Sequence, residues 1–227
     1  MRFIQKQNNT PPEFSAVVDG VLGYNALYNS QKQPLLQLLI NEQHGLCAYC
    51  NQRITPKTAT IEHLICQSHN PTLDLKYFNH YAVCRGNEGQ ILTSHCDKFR
   101  ANGSRNDYFI PYILFEKCLT NAWNSLNPFF DVEYNPRTRL YSGKLIPRSA
   151  NLSGYPNNQQ RVQETIEVLN LNADILINAR KTKWESVMQT RDGLGLSWQD
   201  LFNYYLGMNP ITDFSEFVLL AIRKQEP

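Results

Sequence analysis

Two thiols three positions apart, Cys47 and Cys50 in CAYC, come a dozen residues ahead of an acid joined directly to an imidazole, Glu62-His63. A Cys-x-x-Cys pair either opens a redox helix or supplies half of a metal site. The redox motif begins a helix within a strand–helix pattern, whereas CAYCNQRITPKT runs on into polar, proline-bearing sequence. That context favours a zinc knuckle, in which a tight turn aims two thiolates at one ion. Cys47-x2-Cys50-x12-His63-x5-His69 also has the spacing of a two-cysteine, two-histidine finger. Such a finger needs a helix leading into its histidines, but Pro56 followed by Thr58, Ala59, Thr60 and Ile61 favours extended chain. It would also leave Cys84 and Cys96 without a role. Closure by Cys47, Cys50, Cys84 and Cys96 accounts for all four thiols: a tetrahedral zinc site that cross-links about fifty residues of irregular chain. The plain alternative makes Cys84 and Cys96 small buried core residues. Cys66 and Cys118 are read in that way, as buried thiols.

The elements that must position these groups are short. Residues 46–106 hold five of the six cysteines and four of the five histidines among many turn formers. Ahead of them the first ten or so residues are polar, and Pro11-Pro12 argues against helix there. PLLQLLINEQHG (34–45) is a helix candidate, with Pro34 suited to a first turn and Gly45 to a stop. Beyond them, residues 107–123 are dense in large apolar side chains. Residues 129–143 predict a hairpin turning at Asn135-Pro136-Arg137-Thr138. Helical spacing follows at Val162, Ile166 and Leu169 and resumes at Leu171, Ile175, Leu176 and Ala179. Two short helices are expected at 197–206 and 213–224, the second capped by Asp213 with Glu216 three residues on. The outline is α+β, with helices dominating the C-terminal third.

A chain of 227 residues can bury a core without staples, as one domain with insertions or one domain with a helical extension. No segment approaches the roughly 18 uninterrupted apolar residues of a membrane span. The start, MRFIQKQNNTPPEF, has no apolar signal-peptide core. A cytoplasmic protein with no membrane partner is the expectation, and there metal binding or buried thiols are better readings of cysteine than disulfides. The net charge of +2 excludes a polycation that coats nucleic acid. Residues 47–105 nevertheless carry seven Lys/Arg against four Asp/Glu, so the basic surplus is local to the cysteine segment.

The order CAYC, IEH (61–63), NHYAVC (79–84) and HCDKFRAN (95–102) resembles the HNH (ββα-metal) endonuclease family. That family's pattern is Cys-x-x-Cys, an acid plus His, Asn-x4-Cys, then a Cys followed by His or Asn. The opening MRFIQK…PPEF, the entry GLCAYC, HCDK, and TIEVLNLNADILINAR (165–180) look like one branch of it, the PtuB-like nucleases of Septu and retron-associated anti-phage defence systems. There are two departures. Eleven residues, RGNEGQILTSH, separate Cys84 from Cys96 where the family has two. Asp97 stands where the family has His or Asn, although an aspartate is still a sound ligand for a hard cation.

The resemblance implies a zinc-stabilised ββα-metal core at 44–106 with flanking helices. An N-terminal segment with a short helix (1–43) would precede it. A hairpin and helical C-terminal region (107–227), a surface for partner docking with Trp184 and Trp198 as exposed candidates, would follow. His63 would be the general base. Glu62 and Asp97 would hold one Mg2+ or Mn2+, and Cys47, Cys50, Cys84 and Cys96 the structural Zn2+. Asn79 would tie the loop opposite His63 and orient its ring through a backbone carbonyl. Lys98, Arg100 and Arg105 would meet flanking phosphates of a DNA or RNA substrate. His44, His69, His80 and His95 have no assigned role, with His95 the nearest of them to the metal. A metal-dependent HNH endonuclease is the expectation, an effector controlled by a PtuA-like ATPase of the same system and, where a retron takes part, by its reverse transcriptase and RNA/DNA product. The alternative is a catalytically silent, zinc-stabilised adaptor.

Overall fold

The computed structural model describes residues 4, 6, 9–90, 93–101, 129–149 and 157–225. Residues 107–123, Arg105 and Cys118 lie outside them. The described residues among the first ten are not helical, and the two prolines that follow them stand at the start of a helix. Helix α1 spans Pro12–Val18 with proline in its first turn, where the missing N–H has no intrahelical acceptor to lose. Helix α2 (Asn29–Glu42) begins five residues before the expected Pro34, which it carries inside. Pro34 and Ser30, whose carbonyl the proline cannot bond, are both exposed, so water can take the loss. The start is held by the Gln31 side chain, which accepts the Tyr28 N–H at 2.9 Å. Leu35, Leu36, Leu39 and Ile40 form the buried face, and Gly45 ends the element with φ +72°.

Strand β1 (Ala59–His63) pairs antiparallel with β2 (His80–Cys84), setting Ala59 opposite Cys84 and His63 opposite His80. Helix α3 (Cys96–Ala101) follows. The predicted hairpin forms as β3 (Phe130–Asn135) and β4 (Leu140–Pro147). Asn135 Oδ1 accepts the Arg137 and Thr138 N–H groups at 2.9 and 3.2 Å, a local turn of the kind asparagine favours. The long helical stretch divides at the expected break into α4 (Asn158–Val168) and α5 (Asp174–Leu194). Helix α6 (Trp198–Leu206) is capped by Ser197, and α7 (Ser215–Arg223) completes the described helices. Asp213 does not cap α7. Phe214 takes that position, and Asp213 pairs with Lys183 at 2.9 Å.

Among the described residues this is an α+β chain of seven α-helices and two small antiparallel sheets. Helices α4 and α5 pack on β4, α7 on β3 and α6 on α7. One apolar core runs from Phe14, Leu39 and Val83 through to Leu176, Leu201 and Phe217. The contacts cross the expected boundary at 106: the Phe214 N–H donates to the Asn51 carbonyl, and the Cys96 N–H to that of Leu169, both at 2.8 Å. Trp184 and Trp198 are half-buried and stacked on each other at 6.5 Å, with Tyr141 on the edge of the first and Arg191 over the second. They are packed against the core and are not free anchors. Among the described residues no helix is long and apolar enough to cross a membrane.

Candidate functional site

The knuckle 47–50 turns tightly, with its ends closed by the Cys47 N–H on the Gln52 carbonyl at 2.8 Å and the Asn51 N–H on that of Cys47 at 3.1 Å. Strand β2 brings in Cys84, and the start of α3 brings in Cys96, at a backbone φ of +55°. All four sulfurs lie within 4.8 Å of one another. Cys47 and Cys96 are 4.0 Å apart and Cys50 and Cys84 3.7 Å. Tetrahedral zinc with Zn–S bonds of about 2.3 Å places its sulfurs roughly 3.8 Å apart, so the spacing fits the ion. It is far too long for a disulfide, whose sulfurs are about 2 Å apart. The Cys84 N–H donates to Cys47 Sγ at 3.3 Å, the kind of backbone bond that supports a thiolate. Burial opposes ionisation of Cys47, yet bonds from Cys50, Cys84 and Cys96 hold its thiol well below the usual range.

The insertion between Cys84 and Cys96 closes on itself through the His95 N–H and the Gly86 carbonyl at 3.0 Å. Gly86 has φ +54°, and a Cβ there would stand 1.9 Å from the His95 carbonyl oxygen, so this closure needs glycine. His95 is buried with Nδ1 3.2 Å from Cys96 Sγ and 3.8 Å from Cys84 Sγ, beside the four-cysteine cluster. Cys66, expected to be buried, is only half-buried and lies 3.3 Å from Ser68 Oγ.

Glu62 and His63 leave β1 into different sets of partners. Glu62 is buried, accepting a bond from Tyr49 Oη at 2.8 Å and one from Arg100 Nη1 at 2.5 Å. Tyr49 belongs to the knuckle itself, between Cys47 and Cys50. Burial, reinforced by the charge of Asp97, pushes the Glu62 carboxyl up to about 8 against the pull of Arg100. The two carboxylates therefore resist sharing a second negative charge, and that resistance is what a divalent cation would relieve. The donor set fits a hard cation, with one Glu62 oxygen already engaged. Among the described residues, however, the four cysteines are the group of three or more ligands that converges on one point. Glu62, His63 and Asp97 do not join it.

Arg100 corrects one expectation. It is 5% exposed and points inward, donating also to the carbonyls of His63 at 3.3 Å and Leu64 at 2.8 Å. In this arrangement it secures Glu62 and the strand end and does not face a phosphate. Lys98 is partly exposed and paired with Glu88 at 3.1 Å.

His63 is held on the other set. Nε2 lies 3.1 Å from the Asp74 carbonyl and 3.3 Å from Asp74 Oδ1, with Tyr24 edge-on at 4.7 Å and His80 at 4.5 Å. A carbonyl can only accept, so Nε2 carries the proton and Nδ1 the lone pair. Burial lowers the His63 pKa below its ordinary value, which keeps the ring neutral at pH 7. Asp97 acts electrostatically on both Glu62 and His63, and it is the group that relates the two sets. Asn79 ties the intervening loop as expected: its side chain accepts the Ile65 N–H at 2.8 Å and donates to the Ile65 and Leu73 carbonyls at 3.0 and 3.1 Å. The carbonyl that meets His63 belongs to Asp74, the next residue along.

Sequence reasoning did not single out Tyr24, Tyr49 or Asp74, or give His80 a role. Asp74 also accepts the Tyr24 N–H at 2.7 Å, while Lys32 lies over the Tyr24 ring at 4.5 Å. The position of Tyr49 inside the knuckle was the one available signal. A groove of about 640 Å³ follows the β3–β4 turn from Glu133 to Ser142 and includes none of these groups. No protein-family model matches the chain, and no curated protein matches it.

Proposed function

We propose that the chain is a metal-dependent HNH endonuclease that hydrolyses phosphodiester bonds of nucleic acid, acting in an anti-phage defence system under the control of an ATPase partner. The observation that carries the reading is the neutral, proton-directed His63 at the end of β1, beside the Glu62–Asp97 carboxylates and ahead of α3. With Nε2–H donated to Asp74, the Nδ1 lone pair is available to take a proton from water. Asn79 and Asp74 hold the ring in that tautomer. Glu62 and Asp97 would hold a hard cation, whose chemistry is charge relief on the phosphoryl oxygens and the departing oxygen. Lys98, which follows Asp97 and is partly exposed, would meet a flanking phosphate in exchange for Glu88, whereas Arg100 is committed to Glu62. The sequence resemblance supports the defence setting and the partner.

The test is His63→Ala in the full chain. A positioned general base contributes about 10²–10⁴-fold in rate. The variant should fold, keep its zinc and lose cleavage of a mixed DNA and RNA substrate by that factor. Wild-type cleavage by the variant would end the proposal.

The adaptor reading draws on one observation. Glu62 is already neutralised by Arg100 and Tyr49 in a buried pocket, a self-sufficient structural arrangement. An adaptor predicts no cleavage by the wild-type chain at any Mg2+ or Mn2+ concentration, with partner binding unaffected by His63→Ala.

A further inference from the structure

Arg180 is among the largest fully buried side chains of the described residues, 1% exposed in α5. A guanidinium in that position is costly unless it is paired and its donors are satisfied. Nη1 donates to the Gly143 carbonyl at 3.1 Å, but Nη2 has no acceptor among the described residues, and no carboxylate there forms an ion pair with Arg180. Phe214 stands 5.8 Å from the guanidinium carbon. The helix reaches this depth because Gly143 has no side chain: a Cβ there would come within 2.5 Å of the Ile177 carbonyl oxygen.

The same corner holds the metal-binding loop. The Cys96 N–H donates to the Leu169 carbonyl at 2.8 Å, and the Asn170 side chain donates to the Ser94 carbonyl, also at 2.8 Å. Burial lowers the Arg180 pKa to about 10, and the groups pulling the other way are the Cys50 and Cys96 sulfurs. Phe214, which the guanidinium overlies, donates its N–H to the Asn51 carbonyl at 2.8 Å, one residue past Cys50, so the buried cation packs on the same segment that follows the knuckle. Four thiolates around a divalent ion leave a centre with a net charge of about −2, a surplus that calls for a buried cation.

We infer that Arg180 is the counter-cation of the four-cysteine centre, offsetting its surplus charge so that metal loading fastens α5 and the α4–α5 corner onto the zinc-binding loop. The inference rests on the centre holding zinc and adds a residue about eighty positions beyond the last ligand. It also gives the segment LNLNADILINAR (169–180) one physical reading: Asn170 bonds the loop that carries Cys96, Asn172 exchanges two hydrogen bonds with Leu145 of β4, and Arg180 is buried between Gly143 and Phe214.

The experiment compares the full-length wild type with Arg180→Lys, which keeps the charge, and Arg180→Gln, which keeps a donor for Gly143 without it. Zinc content is measured first, then the rate of zinc release to a chromogenic chelator, with folding followed by circular dichroism. Groups behind a metal site typically contribute 10–100-fold in affinity. Arg180→Gln should release zinc 10–100-fold faster, and Arg180→Lys within about threefold of wild type by the same reasoning. Equal retention by Gln and wild type would overturn the inference and leave Arg180 as a strut for Gly143. If the Gln variant does not fold, the Lys variant decides: near-wild-type release supports the charge role, and loss of zinc refutes it. A folded wild type without zinc would instead remove the centre itself, and this inference with it.

Discussion

The cysteine centre and the Glu62–His63 cluster adjoin one another and are built on opposite principles. At the centre, four identical ligands from three chain segments converge within 4.8 Å, and the backbone around them turns through special conformations at Gly86 and Cys96 to allow it. At the cluster, two neighbouring residues of one strand go to separate partners, Glu62 to Tyr49 and Arg100, His63 to Asp74, Tyr24 and His80. The first region defines a point in space by its ligands alone. The second needs residues that carry no chemistry of their own to orient those that do. A metal centre of this kind is therefore strong where it is intact and fails as a whole, whereas the cluster should degrade by steps.

The largest effect tests that contrast directly. Cys47→Ser or Cys84→Ser removes one thiolate of four and should give unfolded or insoluble protein. Structural zinc contributes on the order of 10 kcal/mol or more to small metal-dependent folds. Circular dichroism and zinc content of the purified variants measure it. A variant that melts like wild type, or a metal-stripped wild type that does, would mean that the apolar core carries the fold without the centre.

Differences in legibility follow from the same contrast. Cys47, Cys50, Cys84 and Cys96 could be grouped from sequence because thiols are few and a shared ligand chemistry leaves little choice of partner. The β3–β4 turn was legible because Asn135 acts on its own neighbours, and α6 because Ser197 does. The start of α2 was not: its cap is a glutamine reaching back to a tyrosine, and Pro34 is tolerated inside the helix only because that turn faces water. Asp213 carried a capping signal that Lys183, thirty residues away, took for an ion pair. Arg100 was misjudged for the same reason. A basic residue after Asp97 suggests a phosphate contact, and only the fold reveals a buried carboxylate within 2.5 Å. Long-range pairing of charges overrides what neighbours in sequence imply.

A smaller, stepwise effect is expected at His80. Its ring is 1% exposed, with Nδ1 donating to the Lys76 carbonyl at 2.9 Å and Nε2 without a partner among the described residues. Burial, with His63 alongside, drives its pKa down to about 3. The unfolded chain takes up this proton near pH 6.5, the folded chain only near 3, so the full stability is present above pH 6.5. It is lost as pH falls through that window, at about 1.4 kcal/mol per unit. His80→Phe should flatten the acid side of the stability curve by that slope. Any acid loss of zinc affects both proteins, so the difference between their denaturation midpoints from pH 7 to 4.5 isolates the histidine. Parallel curves would show that His80 is solvated enough to titrate normally.

The smallest effect lies at the residue that belongs to both regions. Tyr49 is fully buried between two of the clustered cysteines, and its hydroxyl donates to Glu62 at 2.8 Å while accepting from Arg100 at 3.2 Å. Tyr49→Phe keeps the ring that fills the knuckle and removes these two bonds. A lost hydrogen bond typically costs about 1 kcal/mol, somewhat more when its partner is charged. The hydroxyl bond is one of the influences holding the Glu62 carboxyl down, so without it Glu62 should bind its proton more tightly. If the carboxylate form serves the reaction, the pH–rate profile should move to higher pH. Zinc content and chelator release should stay at wild-type values, because the bonds described for the hydroxyl go to Glu62 and Arg100 and those described for the sulfurs do not include it. Zinc release as fast as in a cysteine variant would mean that the two regions are one cooperative unit, with the Glu62–Arg100–Tyr49 contact as part of the metal centre's own framework. An unchanged centre with a shifted profile would establish that the knuckle positions the cluster while remaining indifferent to it.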